Sequence, residues 1–214
     1  MVAGVNAVLK VRGEDPFVLK RYDGYAGVLI DDLVTKGTRE PYRMFTSRAE
    51  YRLLFNHGSG ELRLLDYAAR YGLVSTERLE LIKAKKEREG RAKKWMESNR
   101  QGGQSWATLV RRNEPDLSLP KELESLPKEV ADQALYEIKY DGYLQRERRQ
   151  IEKLSNVESV RVPAHLDFLT VKGLKKESAL KLNELRPVNL GQASRVSGVN
   201  PTDISILMVA LGDS

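Results

Sequence analysis

The chain has 214 residues, 41% of them hydrophobic and 31% charged, enough to bury a core and too apolar for a disordered polypeptide. A formal net charge of +6 favours a polyanionic partner, nucleic acid above all, although scattered surface lysines and arginines give the same total. The absence of cysteine excludes disulfides, thiolate metal sites and cysteine nucleophiles, and nothing in the spacing of the two histidines, His57 and His165, pairs them on a metal.

Val2 to Lys10 is small and apolar and reads as the end of a helix, which suggests a piece of something longer. Turn signals follow at Gly13, Asp15-Pro16 and Asp23-Gly24. Tyr25 to Lys36 reads as a short helix stopped by Gly37. After Pro41, Ser47 with Glu50 three residues on fits a capping box. That predicts a helix to about Phe55 with Arg48 and Arg52 on one face. Asn56 to Gly60 is a loop, and Leu62, Leu65 and Ala69 resume helical spacing until Gly72.

Ser75 caps a long helix reaching about Ser98, with Leu81, Ala84, Arg88, Ala92 and Trp95 as its inward stripe and the stem of Arg88 lying along apolar surface. Seven basic and two acidic residues fall between Lys83 and Lys94. Gln101 to Ser105 breaks the pattern, Trp106 to Val110 restarts it, and Pro115, Pro120 and Pro127 mark an irregular connector. Lys128 to Leu154 reads as one helix with a weak point at Gly142. Val157 to Val171 fits either extended chain or loop. Glu177 to Leu185 is helical and Pro187 stops it. Leu190 to Ser197 is a short helix, after which Asn200 caps the next, with Pro201 in its first position and Asp203 in its first turn. No run approaches the ~20 apolar residues of a membrane span, so a cytoplasmic location is expected. With no repeat and no alternation of strand and helix, the expected fold is mainly α: a tail and connector over residues 1–60, then helical subdomains over 61–127 and 128–214.

Asp31-Asp32 invites an acid–base reading, but helix neighbours point about 100° apart, which favours solvated carboxylates. Arg39, Arg43, Arg48 and Arg52 interleave with Tyr42, Phe45 and Tyr51. Arginine grips phosphate bidentately and aromatics stack on unpaired bases; equally, the aromatics fit a core and the arginines fit pairs with Glu40 and Glu50. Arg146, Arg149 and Lys153, with Lys139 earlier on the same face, form a basic ridge suited to phosphates, or a solvated face balanced by Glu147 and Glu152. The last two helices loosely imitate a helix-turn-helix, with Ser194 where a small alanine is typical, and read better as a packing unit or docking surface.

Three segments resemble the MnmG/GidA family, the tRNA uridine 5-carboxymethylaminomethyl modification enzymes also called glucose-inhibited division protein A. Ala3-Gly-Val-Asn-Ala7 looks like the signature that closes that family's flavin-binding domain. The 26-residue block Val28 to Leu53 matches almost throughout. Tyr140-Asp-Gly-Tyr143, Arg186-Pro187, Leu190 to Arg195, Gly198-Val199 and Pro201 match the C-terminal region. The chain departs from the family at Phe55 to Gly60, where an arginine and an acidic stretch are usual, and at Lys175, where a capping serine is expected.

The resemblance implies a C-terminal helical region preceded by a tail from the flavin-binding domain. The whole family protein is a dimeric enzyme using FAD and NADH. With the GTPase MnmE it modifies carbon 5 of the tRNA wobble uridine, using a methylene-tetrahydrofolate carbon, and its C-terminal region is associated with tRNA and MnmE contact. This chain has no Gly-x-Gly-x-x-Gly and none of the family's cysteine motif, so no cofactor is expected in it and the isolated chain is expected to be inert. The reading is a binding module. Arg39, Arg43, Arg48, Arg52, Lys139, Arg146, Arg149 and Lys153 are the expected tRNA-binding residues, and Arg195 and Asp203 the expected partner-binding ones. The alternative is a pure protein-docking domain with no RNA contact.

Overall fold

A computed structural model of the chain describes residues 1–35, 40–113 and 118–212. In chain order the helices are α1 (Val2–Arg12), α2 (Tyr25–Thr35), α3 (Gly60–Arg63), α4 (Leu65–Arg70), α5 (Thr76–Ser98), α6 (Trp106–Arg112), α7 (Lys121–Glu124), α8 (Lys128–Lys139), α9 (Asp141–Ser159), α10 (Lys176–Leu185), α11 (Leu190–Arg195) and α12 (Pro201–Gly212). Single 3-10 turns lie at Thr46–Arg48, His57–Ser59 and Phe168–Thr170. Among the described residues the one sheet is a hairpin of β1 (Arg100–Gln101) and β2 (Gln104–Ser105), antiparallel, turned through Gly102 and Gly103 at positive φ. Two left-handed residues in succession are what a two-residue hairpin turn demands. The fold is mainly α, as the sequence indicates.

These residues form two compact units. The first is Met1–Phe17 with Tyr51–Glu147; the second is Val18–Glu50 with Arg148–Ser214. The first sixty residues are shared between both units, because their packing partners lie far along the chain.

In the first unit, Asn6 brackets the backbone of Phe17: its Nδ2 donates to Phe17 O at 2.9 Å and its Oδ1 accepts from Phe17 N at 2.7 Å. The Phe17 ring then packs on Tyr67 and Tyr71, which ties the end of this segment to α4. The main core joins Ala92 and Met96 of α5 to Ala107 and Val110 of α6, Leu123 of α7, and Ala134 and Ile138 of α8. Ser75 caps α5 as expected, accepting from Arg78 N. The inward face meets the expected stripe only at Ala92 and Trp95: α5 buries Ile82, Glu89, Ala92 and Met96, Trp95 packs on that core, and Leu81 is 63% exposed. A helix this polar has two candidate faces, and the neighbours α6 and α8 select between them. The expected helix from Lys128 breaks at Tyr140, two residues before Gly142, and α9 then runs on to Ser159.

In the second unit, Phe168, Ala179, Leu182, Leu190, Ala193, Val196 and Leu207 make the core. The ambiguous stretch after α9 resolves into both its alternatives. Val162 N donates to Val188 O and Leu190 N to Val160 O, an extended bridge, before the 3-10 turn. Asn200 caps α12, its Oδ1 accepting from Asp203 N at 2.9 Å, while Asp203 Oδ2 accepts from Asn200 N at 3.1 Å.

Glu89 is an anomaly of the first core. It is 2% exposed and its Oε1 has no hydrogen-bond partner among the described residues. Burial, and then the charge of Glu137, push its pKa up from 4.5 to about 7 against the pull of Lys85 and Lys93. A raised carboxyl pKa means the folded chain holds a proton that the unfolded chain releases. Stability is therefore lost as pH rises from about 4.5 to about 7, and the cost stays constant above. Glu89→Gln should match the parent chain at pH 4 and exceed it by on the order of 1–3 kcal/mol at pH 8 in denaturant unfolding. An equal difference at both pH values would refute the assignment.

Candidate functional site

The segment Val18 to Arg21 lies directly beneath α2. A Cβ on Gly27 would stand 2.0 Å from Lys20 O, so only glycine allows this approach. The approach delivers Arg21, whose side chain is 2% exposed, to a set of carboxylates. Its Nη1 donates to Asp32 Oδ1 at 2.7 Å and Asp31 Oδ2 at 3.1 Å. Its Nε and Nη2 grip Glu50 as a fork, at 2.7 and 2.9 Å. Burial works against the guanidinium charge, but the bonds from Glu50 and Asp32 outweigh it and raise the pKa. Tyr42 donates to Asp32 Oδ2 at 3.0 Å, Arg48 lies 3.8 Å from the same oxygen, and the Arg48 guanidinium stands 5.4 Å from the Tyr42 ring centre. Burial first, then the bond to Asp32, raise the pKa of Tyr42. From the other end of the chain, Arg195 Nη2 donates to Asp31 Oδ1 at 2.7 Å and Glu158 Oε1 at 3.0 Å.

This network revises several expectations. Asp31 and Asp32 are not solvated: Asp32 is fully buried and both serve as counter-ions. Glu50 does not close a capping box with Ser47, because both its oxygens are taken by Arg21. The backbone instead makes one 3-10 turn at Thr46–Arg48, extends at Ala49 and turns left-handed at Tyr51. Arg48 and Arg52 therefore share no helix face. Arg21 was not singled out in the sequence. The available signal was the pair of adjacent carboxylates on an otherwise apolar helix, which demands a cation if the helix packs.

The other expected residues fall into distinct environments. Arg39 lies outside the described residues. Arg43 is exposed, its guanidinium 5.4 Å from the ring centre of Phe45, itself 52% exposed. Arg52 is exposed; among the described residues it enters no ion pair. Lys139 ends α8 and donates to Asn113 Oδ1. Arg146, Arg149 and Lys153 are all exposed on α9, and none forms an ion pair among the described residues. Glu147, the acid expected to balance them, instead accepts from Leu54 N at 3.0 Å. Arg195 is turned into the network, its side chain 14% exposed. Asp203 is 1% exposed, holds the Ser178 hydroxyl at 2.8 Å and caps α12, so its carboxylate is not offered to a partner. Burial alone would raise its pKa; the bonds from Asn200 N and Ser178 lower it instead.

Among the described residues there is no strand–turn–helix carrying a phosphate-cradling glycine turn, the sole sheet being the two-residue hairpin. No described helix is long and apolar enough to cross a membrane.

Comparison with known proteins adds a family. Residues 74–148 match the model described as tRNA modifying enzyme MnmG/GidA C-terminal helical domain, and residues 150–214 match that of its C-terminal helical bundle. The boundary between the two falls where the two compact units divide α9. The tRNA uridine 5-carboxymethylaminomethyl modification enzyme MnmG of Clostridium novyi is 42% identical over 99% of this chain, and that of Protochlamydia amoebophila 44%. The chain spans 37% and 35% of their respective lengths. A crystal structure of Aquifex aeolicus GidA superposes with a TM-score of 0.87 at 37% identity, covering 98% of this chain and 36% of that one.

Replacing Arg21 by leucine should destabilise the second unit by about 3–5 kcal/mol, since it strands buried carboxylates. Adding Asp32→Asn in the Arg21→Leu background should restore part of the loss. Chemical denaturation of both variants measures this, and simple additivity of the two losses would contradict the pairing.

Proposed function

The chain belongs to the MnmG/GidA family of tRNA-modifying enzymes, to its helical C-terminal part, and from that premise we propose that it positions a structured tRNA and docks a partner protein. The wobble uridine would then reach a flavin held elsewhere in the parent enzyme. The observation that carries this reading is the ridge of Arg146, Arg149 and Lys153, three exposed cations with no ion pair among the described residues. An unpaired cation in water loses little by trading its hydration for a phosphate, and it releases a counter-ion from the nucleic acid as it does so. Arg43 and Arg52 offer the same chemistry. Lys139 offers it through an ammonium already lent to Asn113, and Arg48 through a guanidinium 35% exposed beside Asp32. Arg39 belongs to the proposed set by its place among these arginines. Contacts of this kind set orientation and leave sequence choice to other parts of the complex.

For the partner, the GTPase MnmE, the proposed surface is the last two helices. Arg195 and Asp203 hold these helices in place from within, and Met208 and Val209 of α12, 44% and 65% exposed, face outward. Apolar side chains grouped on one exposed turn suit a protein better than an RNA.

Replacing Arg146, Arg149 and Lys153 together by alanine should weaken tRNA binding uniformly across tRNA species. It should also flatten the dependence of log affinity on log salt by about two to three units. Mobility-shift titration at two salt concentrations gives both quantities. Salt-insensitive binding, or none by the folded parent chain, would leave the pure protein-docking reading. A Met208→Asp/Val209→Asp chain should lose capture of MnmE while retaining tRNA.

A further inference from the structure

The cations of α5 divide by the flank they occupy. Lys85 lies 3.2 Å from Glu129 and Lys93 pairs with Glu137, so both are tied to α8. Lys86, Arg88, Arg91 and Lys94 enter no ion pair among the described residues, and Lys86, Arg88, Arg91 and Lys94 are all exposed. Arg88, Arg91 and Trp95 stand at i, i+3 and i+7 and therefore share one flank. That flank walls a cleft of about 490 Å³, closed opposite by Leu126 and Pro127 beyond the end of α7, with Glu122 its one acid. The cleft lies wholly within the first unit.

Its chemistry is layered. Two guanidiniums with no carboxylate partner among the described residues stand beside an indole and an apolar wall, in a volume within the range of small-ligand sites. A guanidinium matches two phosphate oxygens with two parallel N–H groups, and an indole face accepts any nucleobase. We propose that this cleft takes one unpaired nucleotide of an RNA strand, the phosphate on Arg88 and Arg91 and the base against Trp95 and Pro127. The inference rests on the reading of the chain as RNA-binding and adds to it a place for a base as well as for phosphates. An acidic peptide is the rival occupant. The indole and apolar wall beside the guanidiniums favour the strand, because a nucleotide brings a base to the one and a phosphate to the other.

The chain has two tryptophans, so Trp106→Phe leaves Trp95 as the only indole reporter. The full 214-residue Trp106→Phe chain is titrated with tRNA, with a hexamer of single-stranded RNA and with polyglutamate, while mobility shift follows tRNA binding independently. Saturable, salt-sensitive quenching of Trp95 by tRNA and hexamer is expected. In Arg88→Ala/Arg91→Ala, two changes at exposed sites whose folding circular dichroism checks, hexamer affinity should fall about tenfold or more. If tRNA binds but Trp95 emission is unchanged, the cleft proposal fails and the wider RNA-binding reading stands. Quenching by polyglutamate and not by the hexamer overturns it in favour of a protein. Absence of any tRNA shift removes both readings together.

Discussion

A carboxylate carried out of water must find a cation, and α2 carries two of them into a packed setting. Arg21 is the cation that allows this. Four of its five N–H donors reach Asp31, Asp32 and Glu50 in one fixed fork, so the position of each acid constrains those of the other two. From that one guanidinium the rest of the arrangement follows. Gly27 must lack a side chain for α2 to lie on Lys20. Tyr42 and Arg48 must come to Asp32, which draws an irregular segment along a defined path. Arg195 must come to Asp31, which brings α11 against α2. Burying such a network contributes little net stability compared with apolar packing, because desolvation offsets much of the attraction. Its effect is directional. Among the described residues, Tyr42 to Glu50, with a single 3-10 turn of its own, is held by bonds of fixed geometry.

Burial also divides the arginines by use. Arg21 and Arg195 have exchanged hydration for carboxylates and present almost no charge to solvent. Arg146 and Arg149 keep their hydration, and their field extends about 8 Å at physiological ionic strength before salt screens it. Only residues of the second sort are free to meet a polyanion. The net charge of +6 is therefore a poor guide by itself. Paired lysines such as Lys85 and Lys93 are cancelled in that sum by Glu129 and Glu137, so the total does not say where the unpaired cations lie.

Helix identity was largely readable because its signals are local. Ser75 before α5, Asn200 and Pro201 before α12, and Gly72 after α4 each act within one turn, and the structure uses them as their chemistry suggests. What failed to show was decided at long range. Ser47 and Glu50 carry a valid local signal, but Arg21, twenty-nine residues away, outbids the backbone for the Glu50 carboxylate. The inward face of α5 was set by α6 and α8, neither visible in the helix's own sequence. Likewise Val18–Glu50 packs with residues that begin at Arg148, a partnership no local signal announces. On the candidate site, exposure was the missing quantity. Arg48, Arg195 and Arg146 look alike in a sequence, and only the carboxylates around them separate scaffold from ligand.

That separation bears on the segment by which the sequence most resembles its family. Val28 to Leu53 contains Asp31, Asp32, Tyr42, Arg48 and Glu50, all members of the Arg21 network, and also Arg43 and Arg52, which face solvent. The block thus combines members of a buried network with residues that present charge outward. Membership of the block therefore does not by itself separate a buried arginine partner from an exposed cation. On the proposed reading, a substitution at Asp32 would act on binding through the path of the chain, and one at Arg43 only by removing an exposed charge. The first should change stability and affinity together, the second affinity alone, because only Arg43 can be removed without leaving a buried charge behind.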